Sequence, residues 1–258
     1  MKDIQNESDS RNIPINKVGV GDVRYPVFLK DRQHGEQHTI GTVDMYVNLP
    51  ENFRGTHMSR FIEILHSHAN RMELQNVQEI LLDMKHHLRA NEAHMRMMFP
   101  YTIEKHAPVT GIQSQLVIDC AFDATLDKDN HFIFVLVVTV PVQTVCPCSK
   151  AISERGAHNQ RAYVTVKLKM TKMVWIEEVV ESIESAASSP VFPLLKRSDE
   201  KYVTELGYDN PKFVEDVARD LAILLKKDRR VKWFSLSVNS QESIHNHQAY
   251  ACLEWERK

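Results

Sequence analysis

Apolar and polar positions along the chain change period several times, and each change marks an element. Residues 18–29 and 39–47 read as two strands around a charged connection containing Gly35, a hairpin. Over 58–68 the apolar residues Phe61, Ile62 and Leu65 fall at helical spacing, and over 74–98 Val77, Ile80, Leu81, Met84 and Leu88 do so again. Two helices are therefore expected. Residues 99–104 and 113–124 are extended, the second alternating through Leu116, Ile118, Cys120 and Phe122. The first half reads ββααββ.

A turn at 127–130 precedes strands at 132–145 and 162–170 and a helix at 175–187. After a Ser/Pro loop at 188–193 and an irregular segment, Asn210 is expected to cap, and Pro211 to open, a helix with Phe213, Val217, Leu221 and Leu224 on its apolar face. Strands at 231–238 and 249–255 close the chain. The element order repeats, which predicts an α+β protein of two tandem ββααββ modules, antiparallel sheets with helices on one face. The expected division is a flexible tail over 1–12, a first module over 13–128 and a second over 129–258 carrying most of the site. Small modules leave sheet edges open, so oligomerisation is expected.

Composition narrows the function classes. With 258 residues, 43% hydrophobic and 26% charged, the chain can bury a core and is no low-complexity polymer. A formal charge of -2 provides no global field for nucleic acid or an anionic membrane, so an anionic ligand must be caught locally. The longest apolar run, 132–142, is far short of the roughly 20 residues of a membrane span. The polar start of the chain does not resemble a secretory signal, and a cytoplasmic protein is expected. Four cysteines are too few for a disulfide framework, and 13 histidines turn attention to metal chemistry.

The densest constellation is Cys146-Pro147-Cys148-Ser149-Lys150, followed by Gly156-Ala157-His158-Asn159-Gln160-Arg161, in a loop between two strands. If extended, the segment turns Cys146 and Cys148 to the same side, where two sulfurs and an imidazole could converge. Thiolate and imidazole suit Zn²⁺ or Fe²⁺, although two buried cysteines and a loop histidine can equally pack without an ion. Asn239 to His247 joins the last two strands and holds Glu242 and His245, which could meet a metal or, for Glu242, act as general base; the bland alternative is a polar hairpin loop. Glu200 is a further acidic candidate. Between Ser149 and Lys172 six basic residues face one acid, Glu154, which makes a local anion trap in which Lys150 and Arg161 are best placed for phosphates. Glu215, early in its helix, could be a dipole partner or accept two parallel hydrogen bonds from a guanine edge.

Taken together, the string Val142-Gln143-Thr144-Val145-Cys146-Pro147-Cys148-Ser149-Lys150, the Gly156 to Arg161 segment and Glu242-Ser243-Ile244-His245-Asn246-His247 closely resemble the type IB GTP cyclohydrolase I family. The resemblance covers nearly the whole chain and implies that family's bimodular tunnelling fold. It implies conversion of GTP and water to 7,8-dihydroneopterin triphosphate and formate, the first step of folate biosynthesis, by a homotetramer with a divalent metal such as Zn, Mn or Fe. It also implies roles: Cys146, His158, Glu200, Glu242 and His245 around the metal, with Cys148 the competing thiol, and Glu215 on the guanine. Catalysis would then fall to Cys146, Cys148, Glu242 and His245, with Lys150 and Arg161 on the triphosphate. Two other readings compete, a tunnelling-fold nitrile reductase of queuosine synthesis and a non-catalytic purine- or pterin-binding scaffold.

Overall fold

The computed structural model describes residues 5, 7, 9–68 and 74–258; the remainder of the expected tail lies outside the described residues. The described tail residues are tied down: the carbonyls of Gln5 and Glu7 accept from the amides of Gly55 and Arg54 (3.2 and 3.1 Å), and Arg54 pairs with Glu7 at 2.7 Å. Among the described residues no helix is long and apolar enough to cross a membrane.

The chain divides into two compact units. The first comprises Met1–Pro100 and Ala121–Val135, the second Tyr101–Cys120 and Leu136–Lys258. The expected cut near 126–131 follows the repeat of element order, whereas these units share strands β3 (Ala93–His106), β4 (Gln113–Leu126) and β5 (Phe132–Val145).

In the first unit β1 (Ile15–Asp31) and β2 (Gly35–Leu49) form the expected hairpin, with Gly35 at φ +84° in its turn. A side chain at Gly19 would place its Cβ 2.0 Å from the Met45 carbonyl oxygen, so the bulged start of β1 needs glycine there. β2 pairs antiparallel with β3, Met45 opposite Met95 and Val43 opposite Met97. Helices α1 (Met58–His68) and α2 (Leu74–Leu88) contribute Phe61, Leu65, Ile80, Leu81 and Met84 to the core. Each such side chain fully buried stabilises by roughly 1.5–3 kcal/mol before entropy is counted. The helix expected to run to residue 98 stops at Leu88, with Arg89 at φ +52°, and residues 93–98 are strand. There Ala93, Met95 and Met97 are buried while Arg96 is exposed, a period of two carried by helix-forming residue types.

The second unit orders its strands β3-β4-β5-β6-β8-β9, with β6 (Asn159–Met170), β8 (Val231–Ser240) and β9 (Ala249–Glu256) all antiparallel, and a two-residue β7 (Ser189–Pro190) paired with β5. Val140 and Val142 on β5, Ala162, Val164 and Val166 on β6, and Leu236 and Val238 on β8 are buried on the face they share by register. Helices α4 (Ile176–Ala186) and α6 (Val214–Lys227) bury Val179, Val180, Ile183, Val217 and Leu221. Buried polar pairs hold α4 to β3: Tyr101 Oη donates to Glu177 at 2.9 Å, and Lys105 Nζ reaches both Glu184 oxygens at 2.7 Å.

Three local expectations change. The loop after β5 contains a helical turn, α3 (Pro147–Ile152), and the irregular segment after residue 193 contains a full helix, α5 (Arg197–Asp209). Asn210 closes α5 rather than capping α6: its Nδ2 donates to the Ala187 and Ser188 carbonyls at 2.9 and 3.3 Å. The N-cap of α6 is Phe213, whose amide donates to Asp216 at 3.0 Å. These two helices meet so closely in sequence that the Asn-Pro pair ends one and precedes the other. The architecture is α+β: the first half runs ββααββ, and the second follows the same plan with α3, β7 and α5 added to it.

Candidate active site

One end of the second unit gathers most of the chemistry-bearing residues. Cys146 and His158 flank α3, Gln160 opens β6, Glu215 stands in the first turn of α6, Ser240 ends β8, and Glu242, His245 and His247 occupy the loop between β8 and β9. All of them line one cleft of about 310 Å³, together with Thr144, Lys212, Phe213 and Tyr250. Three strand ends and one helix start thus converge because β5, β6 and β8 are neighbours and α6 begins beside them; the Lys212 amide donates to the Val145 carbonyl at 3.0 Å.

Cys146 is half-buried and caps α3, its Sγ accepting from the Ser149 amide at 3.4 Å; Cys148 is exposed within α3 and is not part of the cleft lining. The helical turn separates the two sulfurs that an extended segment would have aligned. The Cys146 amide donates to the His158 carbonyl at 3.1 Å, and the Ser149 hydroxyl accepts from the His158 amide at 3.2 Å, so the cysteine and histidine segments are stitched together.

His158 Nδ1 lies 2.9 Å from Gln160 Oε1 and 3.9 Å from Glu242 Oε2, leaving Nε2 with no recorded partner among the described residues. Glu242 accepts from Ser240 Oγ at 2.8 Å. Both the histidine and the glutamate are largely shielded, with 13% and 15% of their side-chain surface exposed. His245 stands beyond them, exposed, its ring stacked on His247 with centroids 4.9 Å apart. Glu215 is exposed on the same cleft.

A thiol, an imidazole and a carboxylate form a donor set that suits a borderline divalent ion such as Zn²⁺, Mn²⁺ or Fe²⁺. Their ligand atoms are not drawn within 4.8 Å of one another; among the described residues the group that is so close is Asp127, Asp129 and His131, a half-buried to exposed turn in the first unit.

Other expected residues lie elsewhere. Glu200 is exposed on the first turn of α5 and is absent from the cleft lining. Its neighbour Asp199 is fully buried, accepting from the Val109 and Thr110 amides at 2.9 Å each and from the Thr110 hydroxyl at 2.7 Å. These donors hold its carboxyl well below the usual carboxylate range against the opposing effect of burial. Lys150 Nζ donates to the Tyr208 carbonyl and sits 4.2 Å from the Tyr208 ring centroid. Arg161 lines a second cavity of about 250 Å³ with Gln143, Asn159, Phe192 and Val203. On β6 it alternates with Gln160, so the two side chains leave opposite faces.

Sequence reasoning missed Thr144, Gln160 and Ser240. A signal existed: the inward positions run Val140-Val142-Thr144 on β5, Val164-Ala162-Gln160 on β6 and Leu236-Val238-Ser240 on β8, each ending in a polar residue at the same end of the sheet. A buried polar residue at an inward position demands a partner, and three together mark a network.

Comparison with known proteins identifies the family and the fold. The family model described as "Type I GTP cyclohydrolase folE2" matches residues 1–251. The GTP cyclohydrolase FolE2 of Kosmotoga olearia is 54% identical over 254 residues, covering 98% of both chains. That of Geobacter sulfurreducens is 49% identical over 258 residues, covering 100% of this chain and 99% of its own. Among solved structures, a hyperthermostable mutant of Bacillus sp. TB-90 urate oxidase shares the fold with a TM-score of 0.57 at 10% identity, covering 94% of this chain and 99% of that one. Urate oxidase from Bacillus subtilis 168 does so with a TM-score of 0.54 at 9% identity, over 93% and 98%. With a full-length family match and relatives at about half identity, the chain belongs to the type I GTP cyclohydrolase FolE2 family.

Proposed function

We propose that the cleft between β5, β6, β8 and the start of α6 carries out the GTP cyclohydrolase I reaction, converting GTP and water to 7,8-dihydroneopterin triphosphate and formate as the first step of folate biosynthesis. The observation that carries this reading is the meeting of Cys146, His158, Glu215, Glu242 and His245, from four separate stretches of chain, on one cavity wall in a member of this family.

Glu215, on the cleft lining, accepts the N1–H and exocyclic NH₂ of the guanine as two parallel hydrogen bonds. A divalent ion held by Cys146 and His158, with His245 and the Glu242 carboxylate as further ligands and Glu200, which lies outside the cleft of its own chain, reaching it only across a subunit seam, would supply Lewis acidity and lower the pKa of water toward neutrality. Glu242, oriented by Ser240, takes the proton from the water that adds to C8 of the purine. The added hydroxyl allows the five-membered ring to open, and a second hydration releases formate. The exposed His245–His247 pair at the mouth moves protons as the ribose rearranges and the free amine closes on its carbonyl with loss of water. Two waters enter and one leaves, so the net reaction consumes one. Lys150 and Arg161 lie outside this cleft's lining, and in the proposed assembly they contact the triphosphate of a substrate held at a subunit seam.

The open outer edge of β9, with Tyr250 63% exposed beside the cleft, supports assembly as a homotetramer with sites near subunit seams. The same reading sets the enzyme in the cytoplasm, where GTP is available.

The test is purified apo-protein reloaded separately with Zn²⁺, Mn²⁺ and Fe²⁺, given GTP, with formate measured and pterin products resolved by chromatography. Metal-dependent formate release is expected, and its absence with all three ions would overturn the reading. Loss of NADPH absorbance with a cyano-deazaguanine would instead favour the nitrile reductase.

A further inference from the structure

Four buried or half-buried hydrogen bonds link His158 to Glu242 across three strands. His158 Nδ1 meets Gln160 Oε1 at 2.9 Å, Gln160 Nε2 meets Thr144 Oγ1 at 3.2 Å, Thr144 Oγ1 meets Ser240 Oγ at 3.3 Å, and Ser240 Oγ meets Glu242 Oε1 at 2.8 Å. Gln160, Thr144 and Ser240 expose only 9%, 1% and 0% of their surface, so their polar groups depend on one another for hydrogen bonds.

The chain can run in only one direction. Ser240 donates its single hydroxyl hydrogen to Glu242 Oε1. Ser240 must then accept from Thr144, which in turn has no hydrogen left for Gln160 and must accept from its amide nitrogen. That fixes the carboxamide with its oxygen toward the imidazole, and an oxygen opposite a ring nitrogen requires an N–H on Nδ1.

We propose that Gln160, Thr144 and Ser240 are positioning residues that lock His158 in the Nδ1–H tautomer, so that the Nε2 lone pair is the one available to a cation. A solvent-exposed histidine side chain in water prefers its hydrogen on Nε2, the arrangement that would block ligation by that nitrogen. The device therefore prepares the ligand before any ion arrives, and it ties the orientation of Glu242 to that of His158. This inference rests on the metal-binding reading above for its purpose, though not for its geometry.

The experiment has two arms. In apo-protein labelled with ¹⁵N-histidine, long-range ¹H–¹⁵N correlation spectra report the tautomer of His158, assigned by the loss of its signals in His158→Asn. Nδ1–H is expected in the native chain. Thr144→Val is expected to release Gln160 and shift His158 toward Nε2–H, while Thr144→Ser, which keeps the hydroxyl, retains the native pattern. Ser240→Ala breaks the same chain at its other end should Thr144→Val fail to fold. In the second arm, Zn²⁺ competition against a chromophoric chelator should show affinity weakened at least about tenfold by Thr144→Val and restored by Thr144→Ser. An Nε2–H tautomer in the native apo-protein, or a tautomer unchanged in both Thr144→Val and Ser240→Ala, overturns the proposal. Failure of the native chain to bind Zn²⁺, Mn²⁺ or Fe²⁺ would instead sink the metal reading, and the spectra would still decide the tautomer.

Discussion

The carboxylate of Asp199 accepts both the amide and the hydroxyl of Thr110, at 2.9 and 2.7 Å, across 89 positions of sequence. With a third bond from the Val109 amide and a fourth from Lys196 at the start of α5, one buried side chain fastens the turn between β3 and β4 to the helix that presents Glu200. Asp199→Ala removes the acceptor of all four bonds together and leaves buried donors unsatisfied. Hydrogen exchange of the Val109 and Thr110 amides should accelerate at least about tenfold, with faster exchange in the first turn of α5 and little change in α6. Unchanged protection at 109–110 would show that the turn is held by something else.

Gly207 in α5 faces Gln143 on β5 so closely that a Cβ there would lie 2.6 Å from Gln143 Oε1 and 3.4 Å from Val145 Cγ2, so the end of the Gln143 side chain must move to admit one. Gln143 Oε1 is itself buried with no hydrogen-bond partner among the described residues, so nothing polar draws it aside. Gly207→Ala should cost roughly 1–3 kcal/mol through overpacking, offset in part by the better helix propensity of alanine. Gln143→Ala in the same chain should recover most of that loss, a coupling that urea unfolding of the four members of the cycle would read directly. Additive losses would place the strain elsewhere.

Legibility in the sequence followed burial pattern. The hairpin, α1, α4, α6 and the strands β4, β5, β6, β8 and β9 were all readable because each buries one face and exposes another. Helix α5 was not, since only Asp199 and Gly207 are buried in it and its apolar stripe is missing; it is positioned by polar bonds and by a glycine contact that no hydrophobic period records. The start of β3 reads as helix from sequence because methionine and histidine serve helices and strands alike. At the site, the motif residues Cys146, His158, Glu242, His245 and Glu215 were named from the chain and do share a cleft. The residues behind them were invisible as motifs, because Thr144, Gln160 and Ser240 are ordinary polar types made special only by register.

Acid stability should reveal a second polar knot. Arg230 is held by Asp228, the C-cap of α6, and by Glu178 of α4, with its guanidinium at 2.7 Å from Asp228 Oδ2 and 3.0 Å from Glu178 Oε2. Hydrogen bonds from Arg230 pull the Asp228 carboxyl below its ordinary value, with burial opposing. A depressed folded-state value means that the stabilisation is complete above the unfolded value near 3.9 and is lost as pH falls through the folded one. Asp228→Asn should therefore be less stable than the native chain at pH 7 and pH 5, with the gap closing only below about pH 4. A constant gap from pH 7 to pH 3 would remove Asp228 as the titrating partner.

The two basic residues assigned to the triphosphate make unequal demands on the chain. Lys150 already spends a hydrogen bond on the Tyr208 carbonyl and a cation–π contact on its ring, so its move toward a phosphate must break both. Arg161 is exposed, with no recorded side-chain partner among the described residues, and can turn at no such cost. If both serve the triphosphate, Lys150→Met and Arg161→Met should each raise KM for GTP about tenfold or more while changing kcat little, since they bind a part of the substrate that does not react. Inhibition by guanosine, which lacks the phosphates, should be unchanged in Arg161→Met. In Lys150→Met it should also be unchanged unless the tie to Tyr208 supports the guanine side of the cleft. Equal weakening toward GTP and guanosine in Lys150→Met would assign that lysine to holding α5 in place, and the same result in Arg161→Met would take the arginine off the triphosphate altogether.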